Sequence, residues 1–438
     1  LDNKGDINSE ENDGKRHRFG FTFRAAFVFY NLAIHILFFF LWAPALLFPD
    51  FRNRFPARLG FGLPRLDSCI IVHAASAGEA LAARRFIALL KESFSDVPVV
   101  VTTVTTTGRK AAGKIGADYS LGLPYDLFPS VRLAFDRLNP IGLIIVEGDY
   151  WPNILFAAVR RGVPVAVVNG RLTENAAAWY RVAGWLFSSL FRNVDAYAVS
   201  DDEYAPRFVS MGVEPDVVKV TGNIKYDNLD GEPKPGLVSE VYKRLGVTDR
   251  LDLLIAGSTH EGEEKLIAEA YLAAREVKPS LRLLIAPRYP KRAAEIVKVL
   301  LKKGIGAGIY SGGGEAGDAL VLDTVGDLGR IYSAGAVAVV GGSFVTRGGQ
   351  NIMEPAYAGC AVVYGPNMDH FLYEVNLLDG NGGRTVTDGA ELIETLTRLY
   401  LEPALLEAEM KKANTVAAGL AGGSARALDF VLERWGIN

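Results

Sequence analysis

From Asp67 onward the chain repeats one pattern: short β-branched apolar runs separated by longer amphipathic stretches. No single motif constrains the fold as much, because this alternation builds a parallel sheet whose strands are joined by crossover helices. The first series predicts strands at Ser68–Ala74, Val97–Val101, Ile141–Val146, Val163–Val168 and Val194–Val199. Helices are expected between them, for instance at Gly78–Leu90, Pro152–Arg161 and Asp202–Met211. The polar stretch Tyr226–Gly236, with Asp227, Asp230, Pro233 and Pro235, reads as a linker. A second series then places strands at Leu253–Ala256, Leu283–Ala286, Ala336–Val340 and Ala361–Tyr364. A length of 438 residues exceeds what one compact core accommodates. The expectation is two α/β domains, residues 51–228 and 229–438. The last helices, Pro403–Ala418 and Ala425–Trp435, are expected to cover the sheet, the final one crossing back to the first domain.

Open parallel sheets bind ligands beyond the carboxyl ends of their strands, so those ends carry the functional reading. The first strand runs into Ala74-Ala75-Ser76-Ala77-Gly78-Glu79, where every residue before Glu79 is small enough to let a substrate approach the backbone. Glu79 is suited to general-base work if it reaches a hydroxyl. Equally, it is a first-turn residue favoured by the helix dipole, and for a lone Glu that structural reading carries more weight. Threonines crowd the second strand end, from Thr102 to Thr107. The third end, Glu147-Gly148-Asp149-Tyr150-Trp151-Pro152-Asn153, offers acids and aromatics suited to a sugar, with Asp149 alternatively a helix cap. The fourth is Asn169-Gly170-Arg171. Four polar ends on one edge point to a cleft.

In the second series the stretch Ala334–Pro366 reads as a buried strand, a glycine-rich loop (Gly341–Gly349), a helix opening near Asn351, and a further strand. Gly341, Gly342, Gly348 and Gly349 would let backbone N–H groups approach an anion, helped by the helix start. Glu354, one turn into that helix, would accept hydrogen bonds from sugar hydroxyls. A glycine-rich loop alone is a weak signal; Gly-Gly-Ser, Gly-Gly-Gln-Asn and Glu-Pro together strengthen it. Ser258 or Thr259, at the end of Leu253–Ala256, would bond a phosphate or cap the following helix. Arg288 is a natural clamp for phosphate or carboxylate, because its fork matches either. Ser311–Gly317 reads as an exposed turn without a role.

The first twenty residues are polar and read as disordered. Leu1 in place of Met suggests a trimmed or tagged product. Between Ala25 and Phe48 there is no Asp, Glu, Lys or Arg, so residues 21–50 are expected to anchor the chain to a membrane, by spanning it or lying in its surface. Basic residues flank both ends (Lys15, Arg16, Arg18, Arg24; Arg52, Arg54, Arg58), which leaves orientation open. A net charge of -3 gives no reason to expect nucleic acid. Cys69 and Cys360 lie in apolar runs and read as reduced, buried thiols. No Asp-x-Asp sequence, metal-spaced histidine set, Walker loop, nucleophile elbow or dinucleotide fingerprint occurs, so neither metal nor cofactor is expected.

In their order along the chain, these blocks resemble the bacterial Kdo transferases. Those enzymes move 3-deoxy-D-manno-octulosonate (Kdo) from CMP-Kdo onto lipid A precursor. The likeness runs through Arg58-Leu59-Gly60, His73 to Glu79, Pro124-Tyr125-Asp126, Trp151-Pro152-Asn153 and Asn169 with Arg171. It continues through Thr221-Gly222-Asn223, Gly257-Ser258-Thr259, Pro287-Arg288 and the glycine-rich loop to Glu354-Pro355. It implies a GT-B glycosyltransferase: two Rossmann-like α/β domains facing a cleft, inverting, metal-independent, on the cytosolic face of the inner membrane. The acceptor would be the glucosamine 6'-hydroxyl of lipid IVA. By the same resemblance Glu79 is the base, with Glu147 the second catalytic acid. Arg288, Gly342, Ser343, Asn351 and Glu354 hold the donor beside Ser258 and Thr259, and Ser76, Gly78, Asp149 and Arg171 meet the acceptor. Gln350 and Tyr289 stand where the family usually has His, and Asp149 where it has Glu. Competing readings are a GT-B enzyme with another nucleotide sugar, such as an epimerase, and a non-catalytic membrane-anchored sugar-nucleotide binder.

Overall fold

The computed structural model describes residues 19–45, 55–229 and 236–437. The polar segment before residue 19, the end of the expected anchor, and Arg52 and Arg54 lie outside them. The chain forms two compact units: residues up to Asn228 together with Ala421–Asn438, and Leu229–Leu420.

The first unit is built on strands β1 (Cys69–His73), β2 (Val99–Thr103), β3 (Tyr119–Gly122), β4 (Pro140–Val146), β5 (Val165–Gly170), β6 (Ala196–Val199) and β7 (Val218–Val220). They pair in the order β3-β2-β1-β4-β5-β6-β7, every pairing parallel. β1 and β2 are buried throughout and β4 nearly so, because helices cover both faces and leave no side for water. The chain winds outward from β1 to β3 and then restarts on the other side at β4. The crevice at this reversal lies between the carboxyl ends of β1 and β4, the strands that lead into Glu79 and Glu147.

The second unit repeats the plan with β8 (Leu253–Thr259), β9 (Arg282–Pro287), β10 (Ala307–Ile309), β11 (Ala319–Val321), β12 (Val337–Val340), β13 (Ala361–Tyr364) and β14 (Gly383–Thr385). The order is β10-β11-β9-β8-β12-β13-β14, again all parallel. Here the reversal falls between β8 and β12, which lead into Ser258 and the glycine-rich loop.

The strands that periodicity misses are short ones toward the sheet edges: β3 and β7 in the first unit, β10, β11 and β14 in the second. Three or four residues are too few to show a period, and most of these, unlike the equally short β6, β12 and β13, are not unbroken apolar runs. The run Ser311–Gly317 is more than a turn: the buried Arg244 guanidinium donates to the carbonyls of Ile309 and Gly313 at 2.9 Å and Gly314 at 2.8 Å, fastening it.

Two segments far apart in sequence complete the first unit. The last helix, Gly423–Trp435, buries Ala427, Leu428, Val431 and Trp435. A side chain at Gly142 of β4 would lie 2.7 Å from the Trp435 ring, so glycine there makes room for the indole. Asp227 accepts from the N–H groups of Gly422 and Ser424 and so caps this helix. The stretch read as linker therefore starts inside the unit, with Tyr226 and Asp227 buried in a 3-10 turn at Ile224–Asn228.

The amino-terminal helix, Phe21–Ala45, packs one face on the same unit: Phe23 and Phe27 meet Phe156, and Tyr30 donates to Asp126 at 2.8 Å. Its other face is open, with Phe21 87% exposed and Phe40 70%. By length and composition it is apolar enough to cross a membrane.

Candidate active site

In the first unit, Ser76 caps the helix Ala77–Ala82 and its hydroxyl accepts from Glu79 N at 3.2 Å. The Glu79 carboxylate answers through both oxygens: Oε2 accepts from Ala75 N at 2.7 Å and Oε1 from Ser76 Oγ at 2.9 Å. This reciprocal capping fixes the carboxylate in one rotamer at the mouth of the crevice. The structural reading of Glu79 as a first-turn capping residue therefore holds. Gly78 is exposed, and a side chain there would meet only Ser76 Oγ, at 3.8 Å, so the backbone beside Glu79 is open to a substrate.

Glu147 follows β4 with a φ of 66° and Asn169 ends β5 with a φ of 58°. Left-handed backbone costs a residue other than glycine about 1 kcal/mol or more and gathers at functional sites. Asn169 Oδ1 accepts from Ile224 N at 3.1 Å, which holds its turn in place. Arg171 Nη1 lies 3.9 Å from Glu147 Oε1. Burial pushes the Glu147 carboxyl above its usual range; Arg171 opposes this, and the charge of nearby Glu79 adds to it. Two carboxylates that feel one another at a strand-end crevice suit proton transfer. Gly148 lets the chain pass Arg171, whose carbonyl would lie 3.0 Å from any Cβ placed there.

Asp149 is not the helix cap. That position belongs to Trp151, which makes no side-chain capping bond. Instead Asp149 Oδ2 accepts from Trp151 Nε1 at 2.9 Å and lies 3.1 Å from His73 Nε2, while His73 Nδ1 faces Thr102 Oγ1 at 3.1 Å. Burial works to raise the Asp149 carboxyl, but the His73 and Trp151 bonds more than offset it and leave it low. The helix Pro152–Arg160 is capped by Asp126, which accepts from Asn153 N at 3.0 Å and Ile154 N at 3.1 Å. The sequence reading gave His73, Thr102 and Asp126 no role. Their signal was position alone, polar residues at strand ends or in a loop beside them.

In the second unit the glycine-rich loop differs from expectation. Its amides are turned to a buried carboxylate: Glu263 Oε2 accepts from Gly342 N and His260 N, both at 2.8 Å, and Oε1 from Ser343 N at 3.1 Å and Phe344 N at 3.0 Å. An internal carboxyl group thus fills the nest that the sequence assigns to a phosphate. Ser343 is fully buried, its hydroxyl donating to Val340 O at 2.5 Å and accepting from Gly365 N at 2.8 Å. Thr259 is buried too, its hydroxyl given to Glu264 Oε1 at 3.0 Å. Glu264 in turn holds Arg292 through both oxygens, at 2.6 and 3.3 Å. Gly342, Ser343 and Thr259 thus shape the site with the groups expected to touch the donor. The loop glycines serve packing: a side chain at Gly348 would lie 2.5 Å from His370 Nδ1, and one at Gly349 2.3 Å from Met368 Sδ.

Four groups remain open to a ligand. Arg288 is exposed, its guanidinium 5.9 Å from the Tyr289 ring and without a carboxylate partner among the described residues. Ser258 is held at a φ of 56° at the end of β8. Asn351 Oδ1 accepts from Met353 N and Nδ2 donates to Glu354 Oε1, both at 3.0 Å, and burial raises the Glu354 carboxyl against that bond. The helix behind them, Met353–Tyr357, is short, so its dipole contributes little. His260, to which the sequence assigns no role, is 9% exposed, and its Nδ1 has no hydrogen-bond partner among the described residues. Glu263 and Glu264 were legible only as first-turn acids of a helix.

A family model for 3-deoxy-D-manno-octulosonic-acid transferases (Kdo transferases) matches residues 53–228. The 3-deoxy-D-manno-octulosonic acid transferase of Bordetella pertussis is 33% identical over 402 residues, 87% of this chain and 91% of the relative. This chain belongs to the Kdo transferase family. That of Haemophilus influenzae is 30% identical over 334 residues, 74% of this chain and 77% of its own. Membership makes the protein a glycosyltransferase. Among solved structures, a UDP-GlcNAc 2-epimerase from Neisseria meningitidis has a TM-score of 0.58 at 14% identity, covering 84% of this chain and 100% of that one. A glycosyltransferase from Rickettsia africae has a TM-score of 0.50 at 10% identity, covering 84% and 99%. At such identities the likeness is one of fold, and the fold class is GT-B, with two Rossmann-like units.

Proposed function

We propose that the protein transfers Kdo from CMP-Kdo to the glucosamine 6'-hydroxyl of lipid IVA in lipopolysaccharide biosynthesis, at the cytosolic face of the inner membrane. The observation that carries this is Glu79. In a chain of the Kdo transferase family, it is a carboxylate fixed by Ser76 and Ala75 at the crevice of the first sheet, beside an open Gly78. Glu79 takes the proton of the acceptor hydroxyl, the oxygen bonds to the anomeric carbon of Kdo, and the bond from that carbon to the cytidylate oxygen breaks. CMP leaves with the electron pair, the configuration inverts, and the proton passes from Glu79 to solvent. Glu147 and Arg171 orient the acceptor beside it, with Asp149 holding His73 and Trp151 in place. In the second unit, Arg288 offers its guanidinium to the phosphate or the Kdo carboxylate. Ser258, Asn351 and Glu354 bind the nucleotide, and Gly342, Ser343 and Thr259 keep the loop in shape. The resemblance implies no metal or cofactor, and transfer should therefore survive EDTA.

Incubation with CMP-Kdo and tetraacyl lipid A precursor, with products read by mass, should show addition of Kdo. Glu79→Gln should lower turnover by about 10²–10⁴-fold and leave CMP binding within a factor of a few. Unchanged turnover would remove Glu79 as the base. Transfer from a different nucleotide sugar alone would overturn the donor.

A further inference from the structure

We infer that the amino-terminal helix lies in the plane of the bilayer surface rather than crossing it, and that the two-helix segment Glu174–Phe191 forms the rest of the same membrane-seated face. The inference rests on the membrane reading proposed above and goes further, by fixing the mode of attachment and adding a second element to it.

The helix is joined to the first unit along nearly its whole described length. Phe19 stacks on Phe23 and meets Phe156. Tyr30 bonds Asp126, and Phe38 meets both Phe55 and Tyr125. From Phe23 to Phe38 is about 22 Å of helix at 1.5 Å per residue, most of the roughly 30 Å of hydrocarbon that a spanning helix must cross. A helix attached over that length cannot be wrapped by lipid without drawing the polar surface of the unit into hydrocarbon. Each unsatisfied group moved there costs several kcal/mol.

The side facing away from the unit is apolar. Leu32 is 60% exposed and Ile36 58%. Phe29 is 65% exposed and meets Trp185 edge-on, with ring centroids 6.4 Å apart. That contact joins the helix to a second exposed group, Trp179 at 59%, Val182 at 82% and Trp185 at 46%, around the junction of helices Glu174–Val182 and Gly184–Phe191. Contiguous exposed apolar surface of this extent marks an interaction site. Its charge selects the partner: the amino-terminal helix carries Arg24 and no acid, Gly184–Phe191 has no charged residue, and in Glu174–Val182 the acid Glu174 stands at the far end while exposed Arg181 lies between Trp179 and Val182. Tryptophan and arginine around an apolar strip match an anionic lipid surface, with indoles at headgroup level and guanidinium groups reaching phosphates. Through Asp126 the same helix is bonded to the cap of Pro152–Arg160, directly after the strand end that carries Glu147 and Asp149. Seating this face on a bilayer would fix the crevice relative to the lipid surface.

The test uses the full chain with single cysteines replacing Phe21, Leu32, Phe40 or Val182, each nitroxide-labelled. The native Cys69 and Cys360 are buried and do not compete for label. On vesicles of phosphatidylcholine with phosphatidylglycerol, all four labels should sit at one shallow depth, about 5–10 Å into the headgroup and acyl boundary. Trp179→Gln with Trp185→Gln should weaken partition to these vesicles by roughly tenfold or more. A Leu32 label at the bilayer centre, with Phe21 and Phe40 near opposite surfaces, would overturn the in-plane helix. A Val182 label in water, or unchanged partition of the double variant, would overturn the second element. Absence of vesicle binding by the unaltered protein would instead remove the membrane reading itself.

Discussion

At the scale of single residues, the carboxylates sort by what surrounds them. Glu263 accepts four backbone N–H groups, from His260, Gly342, Ser343 and Phe344. Glutamine in its place offers one oxygen and turns an amide N–H₂ toward two of those donors. Glu263→Gln should therefore cost about 2–4 kcal/mol and weaken CMP binding measurably, read by thermal unfolding and by titration calorimetry. Asp126 illustrates the opposite balance, because burial pushes its carboxyl up to about 6 although Asn153, Tyr30 and Ile154 all donate to it. The folded value lies above the unfolded one, so this group's stabilising contribution is full below about pH 4 and is lost as pH rises through 6. Asp126→Asn lacks that titration. Its stability deficit relative to the unaltered protein should be larger at pH 4 than at pH 7, on the order of 2 kcal/mol, checked by paired urea melts. Small neighbours and a strand end draw attention to Glu79 and Arg288 in the sequence, although the residues alone favour a capping role for Glu79 and only the family resemblance makes it a base. Glu263 could not, since a helix's first turn holds acids for dipole reasons whether or not they reach across to another loop.

At the scale of elements, the last helix decides whether the first sheet is covered. Trp435 fills the space that Gly142 leaves on β4, and Asp227 caps the helix start. Trp435→Ala should destabilise the first unit by about 3–5 kcal/mol, the range for a large buried aromatic, seen as faster amide exchange in β1 and β4 while β8 and β12 keep their protection. The central strands were visible in sequence because burial on both faces writes them as apolar runs rich in β-branched residues, as in Ile141–Val146. The edge strands β7, β10 and β14, of three residues each, left no such trace.

At the scale of the whole molecule, the two units differ in continuity. The second is one uninterrupted stretch, Leu229–Leu420, whereas the first needs both ends of the chain. A chain ending at Leu420 should keep cooperative unfolding of the second unit and lose it for the first, because β5 and β6, with Ala166, Ala196 and Ala198, would lose the helix that packs on one face of them. Calorimetry that found both transitions intact would contradict this. The order of residues by itself determined the α/β class, the doubled plan, the polar strand ends on which the proposed site is built and the apolar helix before them. All of these follow from local periodicity and from the small or polar residues that interrupt it. Folding in three dimensions decided the rest. The loop amides turned inward to Glu263, Asp149 was drawn to His73, and Trp435 was seated in the space over Gly142 of β4. Each is a contact between residues distant in sequence, chosen by which buried donor or cavity needed a partner, and no local pattern records that need.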